Sequence, residues 1–310
     1  MTLARSALRQ LHPSARRTTL DGPKHNARPT VVAAALLAAT CGPVAKAPEP
    51  ANAQQATQGS LFAATPSTQW RLPPGLTEIS GLAVSPNGRL FAHDDESAVI
   101  YEIDVGAQRP VRAFTLGDPP LSGDFEGLAI TPAGDFWLTT SAGVLYQFRE
   151  GADGEAVPWR RHDAQLAEIC EVEGLAYLAT DESLILACKH NKTADMRDDV
   201  ILRSWRVGQA EATPWLRARQ GDAAAAAGVR RFRPSAVDID PQTGRILLLA
   251  GADRAYAEFT PQGALLNARS LRREHRQAEG LAVLPDGALA IADEGGRDAA
   301  LISIYPRAGS

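Results

Sequence analysis

Ala278-Glu279-Gly280-Leu281-Ala282-Val283 is a short apolar run that leads through Leu284-Pro285-Asp286-Gly287 into a second apolar run, Ala288-Leu289-Ala290-Ile291-Ala292-Asp293. Two apolar runs of strand length joined by a turn rich in Pro and Gly read as a β-hairpin. The opening run recurs as Ile79-Ser80-Gly81-Leu82-Ala83-Val84, Phe125-Glu126-Gly127-Leu128-Ala129-Ile130, Val172-Glu173-Gly174-Leu175-Ala176-Tyr177 and Pro234-Ser235-Ala236-Val237-Asp238-Ile239. Pro86-Asn87-Gly88, Pro132-Ala133-Gly134 and the stretch from Pro241 to Gly244 repeat the turn.

With Gly81, Gly127, Gly174, Ser235 and Gly280 as markers, the steps are 46, 47, 61 and 45 residues. That period suits a four-stranded blade, and the chain is predicted to be an all-β, five-bladed β-propeller. The long step leaves no room for a sixth blade: it contains Arg217 to Arg231, whose five alanines at 223–227 read as a helical or irregular excursion. The fifth unit stops after its third strand at Tyr305, while Gln69-Trp70-Arg71-Leu72 stands unassigned ahead of the first. Inserting that N-terminal strand as the missing fourth strand closes the ring over residues 68–306 and removes an open sheet edge.

Residues 1–40 carry six Lys/Arg and one Asp, so 26 basic residues face 35 acidic ones from Cys41 onward. An acidic body argues against a nucleic-acid partner. The basic start followed by the apolar run Val31 to Thr40 reads as a signal peptide over 1–40, too short for a permanent membrane span. Leu37-Ala38-Ala39-Thr40-Cys41 resembles a lipobox, which makes Cys41 a lipidation candidate and the chain an exported, extracytoplasmic protein of the cell envelope, anchored by lipid or secreted. The Ala, Pro, Gln, Thr and Ser of residues 41–67 read as a tether. Cys170 and Cys188 fall in one hairpin, but register sets Cys188 near Gly174; burial is their default role, and pairing needs the preceding loop to fold back.

The segments Ile79 to Val84, Asp124 to Ile130, Glu173 to Lys189, Pro234 to Gly244 and Gln277 to Glu294, taken in order, resemble the SdiA-regulated (YjiK-like) family of bacterial extracytoplasmic propellers. The resemblance spans roughly Leu72 to Tyr305. It implies five blades behind an N-terminal membrane signal, and it implies no particular chemistry.

The first strand of each blade lines a propeller's channel, so Ser80, Glu126, Glu173, Ser235 and Glu279 are predicted to gather at one mouth. Hairpin register places Glu279 across from Asp293 or Glu294, Ser80 near Asp94 or Asp95, and Glu173 against Lys189 or His190. Crowded carboxylates raise one another's pKa, pair with cations or bind a hard metal through oxygen, so Glu126, Glu173 and Glu279 are metal-ligand candidates for a divalent cation such as calcium. The competing reading makes these residues caps of neighbouring backbone N–H groups. Gly-x-Ser-x-Gly, His-Glu-x-x-His and phosphate-cradling Gly-rich patterns are all absent from the sequence. The expected function is a binding module for a small molecule, a glycan or an envelope protein. The alternative is a metal-dependent hydrolase of phosphoester or lactone type using the same carboxylates.

Overall fold

The computed structural model describes residues 59–308. The stretch expected to be a signal peptide, Cys41 and the expected tether as far as residue 58 lie outside the described residues. Five sheets, each built on four antiparallel strands, form a five-bladed β-propeller. The blades begin at Ile79–Val84, Phe125–Ile130, Cys170–Leu178, Ala236–Ile239 and Ala278–Val283, the strands anticipated from the repeat. In the fifth blade Thr68–Arg71 pairs antiparallel with Leu301–Tyr305, Trp70 opposite Ile302, so the N-terminal strand supplies the missing edge.

Each buried apolar cluster spans one seam between neighbouring blades. Phe91, Phe114, Phe136 and Phe148 join the first blade to the second, with Phe91 and Phe136 edge-to-face at 5.1 Å. Trp137 meets Trp205 across the second seam at 5.9 Å. The predicted excursion is a helix, Gln220–Ala227, whose Ala223, Ala224 and Ala227 pack into the third seam. Small side chains let it lie close, and Gly228 at φ 69° ends it in a left-handed cap.

Two boundaries differ from expectation. The tether was read to residue 67, yet the packed body begins by Ser60. Phe62 is 1% exposed and lies edge-on to Tyr256, and the Leu61 N–H donates to Glu258 at 2.8 Å. A single aromatic ring carries enough apolar area to dock a segment whose average composition looks unstructured. The outer edge of the second blade begins beyond a break at Pro158, where a single strand would be expected to run on. Ala156–Val157 adds a parallel fifth strand to the first blade, and Trp159–Asp163 completes the second. Proline has no N–H to continue one ladder, so the chain changes partners there.

The glycine of the repeat has a steric role. A Cβ on Gly127 would lie 2.6 Å from the Leu175 nitrogen, and one on Gly174 would lie 2.9 Å from the Val237 nitrogen. The first strands of adjacent blades therefore touch backbone to backbone around the channel.

Candidate functional site

In four of the five first strands the residue beside that glycine sits in a β-bulge. The pairing jumps from Phe125↔Thr140 to Gly127↔Thr139 across Glu126, from Val172↔Cys188 to Gly174↔Ala187 across Glu173, and from Ala278↔Asp293 to Gly280↔Ala292 across Glu279. In the first blade the step from Ile79↔Asp94 to Leu82↔Ala92 leaves Ser80 and Gly81 opposite His93. An unpaired extra residue frees the side chain from the ladder's alternation and re-aims it. His93 serves the first bulge: its Nε2 accepts the Gly81 N–H at 2.9 Å, and burial holds the ring's pKa down at about 4, so it stays neutral.

The third blade carries a second bulge on the opposite strand, between Glu171↔His190 and Val172↔Cys188, with Lys189 as its extra residue. Lys189 Nζ meets Glu173 Oε2 at 2.8 Å, the contact predicted from register. Although burial opposes its charge, Glu173, Glu279 and Glu171 raise the Lys189 pKa.

Three further carboxyls belong to this end of the channel. Single ligand oxygens of Glu78, Asp95 and Glu294 lie within 4.8 Å of one another, the one such grouping among the described residues. Asp95 and Glu294 hold equivalent positions, each just after the second strand of its blade, so the trio straddles the seam that closes the ring. Gln277 Nε2 donates to Glu294, and the neighbouring Glu279 acts on the same carboxyl. Burial, then Glu279, then Asp95 and Glu78 push the Glu294 carboxyl up to about 10. Burial and the charges of Glu173, Asp124 and Glu279 push Glu126 to about 9. Asp95 rises to about 6 through burial, Glu78 and Asp94.

The expected metal trio is not this grouping. Glu126, Glu173 and Glu279 do not converge to that spacing, because each projects from a different blade and Glu173 is held by Lys189. The register left Asp94 or Asp95, and Asp293 or Glu294, open, and adjacent residues of a strand point to opposite sides. Asp94 turns away and accepts from the Ser97 N–H and hydroxyl at 2.8 and 2.7 Å. Asp293 is buried and bound to His275 at 2.6 Å, and His275 reaches the Tyr305 hydroxyl at 2.5 Å. Ser235 is also occupied: it donates to the Ala278 carbonyl at 2.7 Å and accepts the Gly251 N–H at 2.8 Å, tying the fourth blade to the fifth. His190 is exposed and bonded to Glu171 at 2.8 Å outside the cluster. Ser80 is fully buried, with a hydroxyl that has no hydrogen-bond partner. Glu78 was missed; its one signal was an acidic side chain immediately before the first repeat strand.

Cys170 and Cys188 form a disulfide with Cα atoms 5.6 Å apart, where extended geometry had placed them too far apart. The bulges at Glu173 and Lys189 are the irregularities that extended geometry omits.

At the opposite end of the channel, where the repeat strands run into their turns, a cavity of about 760 Å³ opens. Its walls include Leu82, Leu128, Ile130, Leu175 and Ile239, and Asp238 is among them.

The fold has relatives. It is a β-propeller. Glutaminyl cyclase from Myxococcus xanthus superposes with a TM-score of 0.53 at 13% identity, over 77% of this chain and 94% of that one. U3-55K superposes at 0.50 with 11% identity, over 79% and 100%. Virginiamycin B lyase from Staphylococcus aureus reaches only 0.40 at 12% identity, over 76% and 68%, and carries no argument. At these identities the likeness is one of fold alone. No protein-family profile and no curated protein matches the chain.

Proposed function

We propose that this propeller is a ligand-binding module whose acidic channel mouth takes a divalent cation, calcium being the first candidate. The observation that carries the reading is the convergence of Glu78, Asp95 and Glu294 to within 4.8 Å. Three carboxyls from two blades supply oxygen ligands of the kind a hard cation prefers, and a 2+ charge relieves the repulsion that holds protons on Asp95 and Glu294. Bound there, the ion would offer open coordination positions to an anionic or hydroxyl-bearing ligand.

The cell envelope is the compartment this reading requires, and the Cys170–Cys188 disulfide supports it, since such bonds persist where the surroundings are oxidising. Lipidation of Cys41 would fix the module to a membrane. Membership of the SdiA-regulated family belongs to the same proposal, supported by the ordered repeat segments and the propeller fold.

A second reading, metal-dependent hydrolysis of a phosphoester or lactone, draws on one observation. Glu126 is held protonated near neutrality within reach of the Lys189 charge, the pairing a general acid beside an anion-orienting ammonium needs.

The test is metal content and melting temperature of the purified propeller before and after chelation, with calcium, magnesium and manganese restored one at a time. A stoichiometric ion whose removal lowers the melting temperature supports the site. No bound ion and no shift with any of the three overturns both readings.

A further inference from the structure

The cavity at the turn end of the channel is not explained by a cation at the other mouth. Its composition follows from the repeat. The residue after Leu82, Leu128, Leu175 and Leu281 is alanine in each case, Ala83, Ala129, Ala176 and Ala282, and all four are buried. In the fourth blade the same position is Asp238. One carboxylate thus interrupts a ring of alanines at an apolar wall.

Asp238 is not spent as a salt-bridge partner. Its two oxygens accept one backbone N–H each, from Ile239 and Val283, both at 2.8 Å. Those bonds lock the group in place, bridge the fourth blade to the fifth, and leave each oxygen a free lone pair. Among the described residues no Lys, Arg or His forms an ion pair with it. The neighbouring Asp240 is committed to Arg307 and Thr243. Burial pushes the Asp238 carboxyl up to about 7, the cost of a carboxylate facing an apolar space without a cation.

A concave, largely apolar cavity of several hundred cubic ångströms with a single fixed charged group has the form of a small-molecule site. From this geometry we infer that the turn end of the channel binds an apolar molecule bearing one protonated amine, the ammonium seated on Asp238 and the hydrocarbon body against Leu128, Ile130 and Leu175. Asp238 is the one charged residue of the wall, so it selects the head group, while Leu128, Ile130 and Leu175 offer the hydrocarbon body its apolar contact.

Calorimetric titration of the whole protein with 2-phenylethylammonium, 2-phenylethanol and 3-phenylpropionate at pH 8 tests the inference. The amine is expected to bind about tenfold or more tightly than the alcohol, as a charge-assisted hydrogen bond requires, and the carboxylate not at all. Asp238→Asn should bring the amine down to the level of the alcohol, and Ile130→Trp, which fills the cavity from a half-exposed position, should abolish both. Circular dichroism confirms that each variant folds, and Ile130→Trp carries the test if Asp238→Asn does not. Equal affinity for amine and alcohol overturns the inference. So does amine binding undiminished in Ile130→Trp, which would place the amine at the acidic mouth instead.

Discussion

Glu173 and Lys189 meet at 2.8 Å because each is the extra residue of a bulge, one on either strand of the same hairpin. Without the two irregularities, strand alternation would set their directions. Glu173 is 3% exposed, so removing its partner leaves a buried acid uncompensated. Lys189→Met is expected to cost about 2–3 kcal/mol at pH 8, less than breaking a wholly buried pair because the lysine keeps some solvent. Lys189→Met/Glu173→Gln should recover most of the loss. Urea unfolding of the two variants checks both statements.

Calcium at a hundred times its dissociation constant is expected to stabilise the folded chain by about 2.7 kcal/mol. For a body of this size that is a rise in melting temperature on the order of 5–10 °C. Asp95→Asn and Glu294→Gln should each remove the rise. In the metal-free protein Glu294→Gln should be close to neutral, since it replaces a carboxyl that already holds its proton with an uncharged amide. Differential scanning fluorimetry with and without calcium separates the two effects.

Glu126 sets a pH dependence of definite sign. Its folded pKa, about 9, lies above the usual carboxylate range, so the unfolded chain gives up this proton more readily than the folded one does. The stability it contributes is complete below about pH 4.5 and is lost as pH rises through 9. Metal-free protein should therefore melt progressively lower between pH 5 and 9, and Glu126→Gln should flatten that slope. A wild-type slope retained in the variant would refute the assignment.

Reduction of the Cys170–Cys188 bond opens a loop with a sequence separation of 18. A loop of that length corresponds to about 3 kcal/mol of restored freedom in the unfolded chain. Cys170→Ser should lower the urea midpoint accordingly, and native protein should show no accessible thiol from either residue by thiol titration.

Phe62→Ala is expected to cost about 3–5 kcal/mol, the range for truncating a buried aromatic. If residues up to 67 were only a tether, the same change would leave the melting temperature where it is.

The blades were readable because the repeat writes its period into apolar runs and turns, and because Gln69 to Leu72 was the one strand without a partner. The mouth was half readable. Register brought Glu173 to Lys189 and offered Asp95 and Glu294 among its options, but it could not choose between them and their neighbours Asp94 and Asp293. That choice depends on a bulge, and a bulge adds one residue without changing composition. Ser235 looked equivalent to the glutamates in the alignment, yet a serine hydroxyl is short enough to be captured by backbone groups next to it. Phe62 was hidden for the opposite reason: one ring decides its packing, while the surrounding alanines and threonines set the average.

The strand Thr68–Arg71 is synthesised before every blade and pairs only with Leu301–Tyr305, the final strand of the fold. Its ladder cannot form until more than two hundred intervening residues have emerged and their blades have assembled, a loop closure of the slowest kind. The edge that seals the molecule must therefore stay unpaired until Leu301–Tyr305 has emerged. The seam it closes is the one that brings Glu294 to Asp95, so the acidic trio comes into being only when the circle is complete.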